Sequence, residues 1–210
     1  MQMNRTLALY VTLMTLVVVA SNVLVQYPLW GTLLGVRLGD LLTFGAFTYP
    51  VAFLVTDLTN RQYGPRRARF VVAAGFVVGI GFSWFASEPR IAIASGSAYL
   101  AGQLLDISVF NRLRAQTWWR APLVASLLGS LLDTVLFFTL AFSSSLSLFW
   151  PDDAFAVEAA PLLGVFAVMA PRWISWAMGD FGVKVLVGLV MLLPYGALMN
   201  VVRPMNPAKA

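Results

Sequence analysis

The chain has 210 residues, 60% hydrophobic and 11% charged, with a formal net charge of +5. A soluble domain carries roughly 25% charged residues, so this composition excludes a soluble fold and describes one polytopic membrane domain. The sequence holds no cysteine and no histidine, which removes disulfide and thiolate chemistry and leaves metal sites and histidine acid–base catalysis without support; no cofactor and no metal are expected.

The first apolar run predicts a helix over 6–29. It is expected to be retained, because no small-residue cleavage site follows it. Ser21 and Asn22 interrupt its far half and either bond a neighbouring helix or meet a ligand. Tyr27, Pro28 and Trp30 suit an interfacial exit. A second helix is expected over 38–57, kinked at Pro50, which lacks a backbone donor. Asp57 and Asn60 then precede Arg61, Arg66, Arg67 and Arg69, four arginines within nine residues, the mark of a cytoplasmic loop. Asp57, at the end of the apolar run, either pairs with an arginine or serves a ligand.

The third helix, 68–86, contains Gly75, Gly79 and Gly81, which allow close packing. In the fourth, 91–110, Gln103 and Asp106 share a face. Asp106 lies ~9 Å along the axis from Arg112 at 1.5 Å per residue, so it either snorkels to the interface or is buried. Trp118 and Trp119 beside Arg120 form an interfacial aromatic belt. The fifth helix, 122–146, aligns Ser126, Ser130 and Asp133. Asp133 falls ~20 Å from Arg120, near the bilayer midplane, where a short carboxylate must face protein or water and needs a partner. The segment 150–175 carries Asp152, Asp153 and Glu158 and then a short apolar stretch broken at Pro171 and Arg172. A periplasmic re-entrant or interfacial segment is preferred there over a seventh span. The sixth helix, 176–202, holds Lys184 and Pro194.

Six spans with a cytoplasmic N-terminus place ten cations inside (Arg5, Arg61, Arg66, Arg67, Arg69, Arg112, Arg114, Arg120, Arg203 and Lys209) and three outside (Arg37, Arg90 and Arg172). That asymmetry favours both termini inside. It also accounts for the positive charge as topology, so no nucleic-acid partner is expected. The spans show no internal repeat.

The membrane-depth polar groups are Asn22, Gln103, Asp106, Ser130, Asp133 and Lys184. Carboxylates and amides match a ligand that offers several N–H donors, such as a purine-like base, and aromatic side chains can stack on its ring. The alternative is an internal ion pair of Lys184 with Asp133 or Asp106. The phosphate-binding pattern G-x-x-x-x-G-K-[ST] is absent, so a transporter would be secondary or would borrow its energy from a partner.

The runs FTYPVAFLVTDLTNRQYGPRRAR (47–69), SAYLAGQLLDISVFNRLR (97–114), WWRAPLVASLLGSLLDTVLFF (118–138) and KVLVGLVMLLPYGALMN (184–200) resemble the queuosine precursor transporter family, a vitamin-uptake-transporter-like family. The T-D-L-x-N-x-x-Y-G and G-Q-x-x-D motifs carry the resemblance, which covers nearly the whole chain. It implies an inner-membrane importer of 7-deazaguanine bases, 7-cyano-7-deazaguanine with 7-aminomethyl-7-deazaguanine as a further candidate, salvaged into queuosine of transfer RNA; the sequence does not say which is preferred. It implies an all-α integral membrane fold of six transmembrane helices, similar to the substrate-binding subunits of energy-coupling-factor transporters. The substrate-binding candidates are Asn22, Asp57, Asn60, Gln103, Asp106, Ser130, Asp133 and Lys184. The partners expected are the small-molecule base and the lipid bilayer; the sequence gives no oligomeric state. The competing function is a substrate-binding subunit of a multi-component vitamin or nucleobase uptake system. An intramembrane enzyme is disfavoured by the missing histidine and cysteine, and a scaffold by the number of buried ionisable groups.

Overall fold

Proline and glycine set the helix boundaries. In the computed structural model, which describes residues 5–204, α1 (Arg5–Leu24) stops five residues before the expected end at 29. Pro28 lacks a donor and biases the residue before it away from helix. The chain turns instead, and Leu29 N donates to Leu42 O at 2.9 Å while Phe44 N donates to Tyr27 O at 3.0 Å. Between these contacts lies a small hairpin, β1 (Thr32–Leu33) against β2 (Val36–Arg37). Its two-residue loop has positive φ at both Leu34 (52°) and Gly35 (83°), which matches the twist of paired strands.

The helix expected over 38–57 is therefore not continuous. A four-residue turn of helix, α2 (Gly45–Thr48), precedes Pro50, and α3 (Val51–Tyr63) follows it. Gly45 is a close approach: a Cβ there would sit 2.8 Å from Val25 Cα. α3 runs six residues past the expected end because its polar C-terminal half is buried against other helices. Thr56, Asp57, Thr59 and Asn60 are at most 2% exposed. Gly64, with φ 78°, ends α3, and Pro65 opens α4 (Pro65–Ala86) at a position where no donor is needed.

Pro89 likewise opens α5 (Pro89–Leu113). α6 (Arg120–Phe142) ends four residues before the expected 146. Arg90 is 6% exposed and takes up the carbonyls at that end, donating to Leu140 O at 2.9 Å, Ser143 O at 2.8 Å and Pro151 O at 3.0 Å. The segment 150–175 holds one short helix, α7 (Ala154–Val157), capped by Asp153, and a second hairpin, β3 (Ala159–Pro161) with β4 (Met169–Pro171). Gly164 of this hairpin abuts Val36 of the first. α8 (Arg172–Leu198) starts four residues earlier than expected.

The short α3 lies at the centre, in contact with α1, α4, α5, α6 and α8. Among the described residues, α1, α4, α6 and α8 are long and apolar enough to cross a membrane. Their outward faces carry large apolar side chains, among them Leu16, Val77, Val135 and Leu193. One end of the bundle gathers the arginines. Arg61 donates to Val202 O at 3.1 Å, Arg114 donates to Asn60 O at 2.8 Å, and Arg67 lies over the Tyr63 ring. The other end holds the two hairpins and Arg90. Lys209, counted above among the inward-facing cations, lies outside the described residues.

α5 and α6 cross closely at two glycines. A Cβ on Gly102 would meet Gly129 O at 2.9 Å and Asp133 Cβ at 3.0 Å; one on Gly129 would meet Phe53 at 2.7 Å and Gly102 O at 2.9 Å. This contact brings Gln103 and Asp106 of α5 beside Ser130 and Asp133 of α6, with α3 laid across both.

Candidate functional site

A cavity of ≈ 830 Å³ opens at the hairpin end and reaches into the bundle. That volume lies in the range of small-molecule sites, roughly 300–1,000 Å³. The hairpins contribute Val36 and Gly164, and the walls carry Tyr49, Phe137, Phe138 and Trp176. Asp133, Asp180 and Lys184 line its depth.

These groups form one bonded cluster. Lys184 Nζ lies 2.7 Å from Asp133 Oδ2 and 2.5 Å from Asp180 Oδ2 and donates to Thr134 Oγ1 at 3.0 Å. Thr134 Oγ1 donates to Asp180 Oδ2 at 2.9 Å, and Tyr49 Oη donates to Asp133 Oδ1 at 2.8 Å. The ammonium also sits 5.3 Å from the centre of the Tyr49 ring. Two carboxylates facing one ammonium leave a formal excess of one negative charge at the cavity floor. A carboxylate oxygen that already accepts one hydrogen bond can accept another, so this floor can still receive N–H donors from a ligand.

A second polar group lies nearer the arginine end. Thr56 Oγ1 donates to Gln103 Oε1 at 2.5 Å, Asn60 Nδ2 to Ile107 O at 3.3 Å, and Ser126 Oγ to Asp57 Oδ2 at 3.4 Å. Asp57 Oδ1, Asn60 Oδ1, Gln103 Nε2 and both oxygens of Asp106 are buried without a hydrogen-bond partner. Buried polar atoms are nearly always satisfied, so five orphans close together call for a physical explanation. A crevice of ≈ 10 Å³, lined by Asp57, Ser126, Ser130 and Lys184, runs beside it.

A family described as putative vitamin uptake transporter matches residues 43–88 and 82–198. The chain belongs to this family. A queuosine precursor transporter of Escherichia coli (strain K12) is 37% identical over 207 residues, covering 88% of this chain and 82% of the relative. A probable queuosine precursor transporter of Haemophilus influenzae is 36% identical over 214 residues, covering 89% and 83%. A probable queuosine precursor transporter of Bacillus subtilis (strain 168) is 26% identical over 128 residues, covering 48% of this chain and 56% of the relative. No solved structure matches. The protein is thus a multi-pass membrane transporter of this family and not an enzyme.

In the transporter, Asn22, Asp133 and Lys184 line the large cavity, whereas Asp57, Asn60, Gln103, Asp106 and Ser130 do not. Asn22 is also a helix contact: its Nδ2 donates to Val18 O at 2.9 Å and its Oδ1 accepts from Ser83 Oγ at 2.7 Å. Asp57 forms no ion pair with an arginine among the described residues; its nearest hydrogen-bond donor is Ser126. Asp106 does not snorkel: it is 0% exposed, because the Gly102–Gly129 crossing closes over it. Lys184 pairs with Asp133, not with Asp106, and its second partner is Asp180. Asp180, Tyr49, Thr134 and Thr56 join these groups without being among the residues expected from the sequence. The four-residue spacing of Asp180 and Lys184 is a helical pair and was the available signal. For Tyr49, which reaches Asp133 from the far side of Pro50, the sequence offers none.

Proposed function

We propose that the chain imports queuosine precursors, 7-deazaguanine bases, across the inner membrane for salvage into transfer RNA. The observation that carries this reading is the aromatic-walled cavity that ends on Asp133, Asp180 and Lys184, in a chain 37% identical to a queuosine precursor transporter. A guanine-type edge presents adjacent N–H donors and a carbonyl acceptor. The donors suit the carboxylates, and the acceptor suits the second N–H of the Asn22 amide, whose first is given to Val18 O. Tyr49, Phe137 and Trp176 supply flat faces for stacking. Asn22, Asp133 and Lys184 contact the base, and Asp57, Asn60, Gln103, Asp106 and Ser130 act beneath it in the transport cycle.

Six crossings with both termini cytoplasmic fit this reading. α2 and α3 together form the second crossing, broken at Pro50. Irregular backbone at membrane depth is tolerated where it lines a cavity, and Gly45, Ala46 and Tyr49 line this one. The likeness to energy-coupling-factor substrate-binding subunits belongs to the same proposal.

Cells lacking both precursor synthesis and their own transporter, expressing this chain and fed nanomolar 7-cyano-7-deazaguanine, test the proposal. Queuosine should return to their transfer RNA. Its continued absence, with the chain inserted in the membrane, would overturn the substrate. Restoration by 7-aminomethyl-7-deazaguanine alone would move the specificity to that form.

A further inference from the structure

Asp57 on α3 and Asp106 on α5 are 2% and 0% exposed, and their carboxyl groups are close enough to hydrogen-bond each other. Ionised carboxylates offer acceptors only. Asp57 Oδ1 and both Asp106 oxygens accordingly have no donor. Two such groups bond one another only when a proton lies between them.

Among the described residues, no cation forms an ion pair with either carboxylate. Lys184 on α8 is held by Asp133 and Asp180. Arg61 on α3 binds the Val202 and Met199 carbonyls, and Arg114, just past α5, binds the Asn60 carbonyl. Arg67 on α4 lies over the Tyr63 ring. Tyr195 on α8 also borders Asp57, and Tyr10 on α1 donates to Gln62. α6 presents Ser126, a neutral donor 3.4 Å from Asp57 Oδ2. Two bare negative charges at this depth would be costly, and a bound proton removes one of them and supplies the missing hydrogen bond.

We infer that Asp57 and Asp106 form a proton-binding site that couples proton movement to transport. The site sits below the substrate cavity and communicates with its floor. The crevice lined by Asp57 is lined also by Ser126, Ser130 and Lys184, and Lys184 lines the cavity as well. Its volume of ≈ 10 Å³ is about that needed for one water. Protonation of the pair and the charge at the cavity floor are thereby linked: binding of the base at Asp133 and Lys184 alters the field felt by Asp57, and loss of the proton alters the floor in return. The coupling rests on the transport reading; the proton site does not.

Infrared spectroscopy of the full chain in lipid nanodiscs separates the two. At neutral pH the wild type should show a carboxylic-acid C=O stretch that shifts in D₂O and is lost in both Asp57→Asn and Asp106→Asn. Absence of the band from wild type, or its survival in both variants, would overturn the site, and the wild-type result needs no variant to fold. In proteoliposomes, an inward proton gradient should drive accumulation of 7-cyano-7-deazaguanine. Asp106→Asn should bring accumulation down to simple equilibration while base-for-base exchange remains measurable. Accumulation driven by sodium at equal pH, or undiminished in Asp106→Asn, would overturn the coupling. A C=O band without any uptake of the base by wild type would support the proton site and remove only the proposed substrate.

Discussion

At Lys184 one ammonium stands between two carboxylates, with Thr134 and the Tyr49 ring closing the remaining directions. Removing one member of a buried ion pair leaves the other uncompensated and costs about 3–5 kcal/mol. Lys184→Met should therefore lower the midpoint of thermal unfolding in detergent strongly, and Asp180→Asn added to it should recover part of the loss. An unchanged midpoint in the single variant would contradict the pairing. Asp133 and Lys184 were legible in the sequence because each is an ionisable residue deep in an apolar run and demands an explanation. Asp180 was not, because it fell near the expected start of its helix at 176, where a charge reads as interfacial. α8 begins at Arg172, which puts Asp180 two turns inside and one turn from Lys184.

Among the elements, the crossing of α5 and α6 controls whether the two polar groups can exist. Gly129→Ala places a methyl against Phe53 and the Gly102 carbonyl, and overpacking of this kind costs about 1–3 kcal/mol. Gly81 has nothing within 4 Å of an added Cβ, so Gly81→Ala should be neutral or stabilising by up to about 1 kcal/mol. Unfolding midpoints of the two variants check the contrast, and equal effects would refute it. By sequence, Gly81 belongs with Gly75 and Gly79 as a packing glycine. The structure keeps that role for the other two: Gly75 is pressed by Met14 and Tyr99, and Gly79 by Val18. Composition does not reveal which side of a helix meets a neighbour. Nor does hydropathy reveal how far α3 runs beyond Asp57. Its polar half, Thr56 to Asn60, reads as the start of a loop, yet it is the most enclosed helical segment because five helices surround it. The hairpin at 32–37 falls in the short connection expected between the first two helices, where only the Gly31 and Gly35 spacing hints at a turn.

For the whole molecule, the asymmetry is between an arginine-bearing end and a hairpin-bearing end onto which the cavity opens. The chain has no cysteine, so single cysteines report sidedness without background. A cysteine at Leu34 should react with an impermeant maleimide added to intact spheroplasts, and one at Arg66 only after the membrane is opened. The reverse pattern would invert the topology, and labelling of both in intact cells would show mixed orientation.

The binding claim is tested most directly by equilibrium binding of 7-cyano-7-deazaguanine to the purified chain in nanodiscs, wild type beside Asp133→Asn. Wild type should bind saturably, and the substitution should weaken binding at least tenfold, the equivalent of ~1.4 kcal/mol, while the protein stays folded. Equal affinity in the two would contradict a cavity floor at Asp133 and Lys184, and would send the search for the base to another part of the bundle.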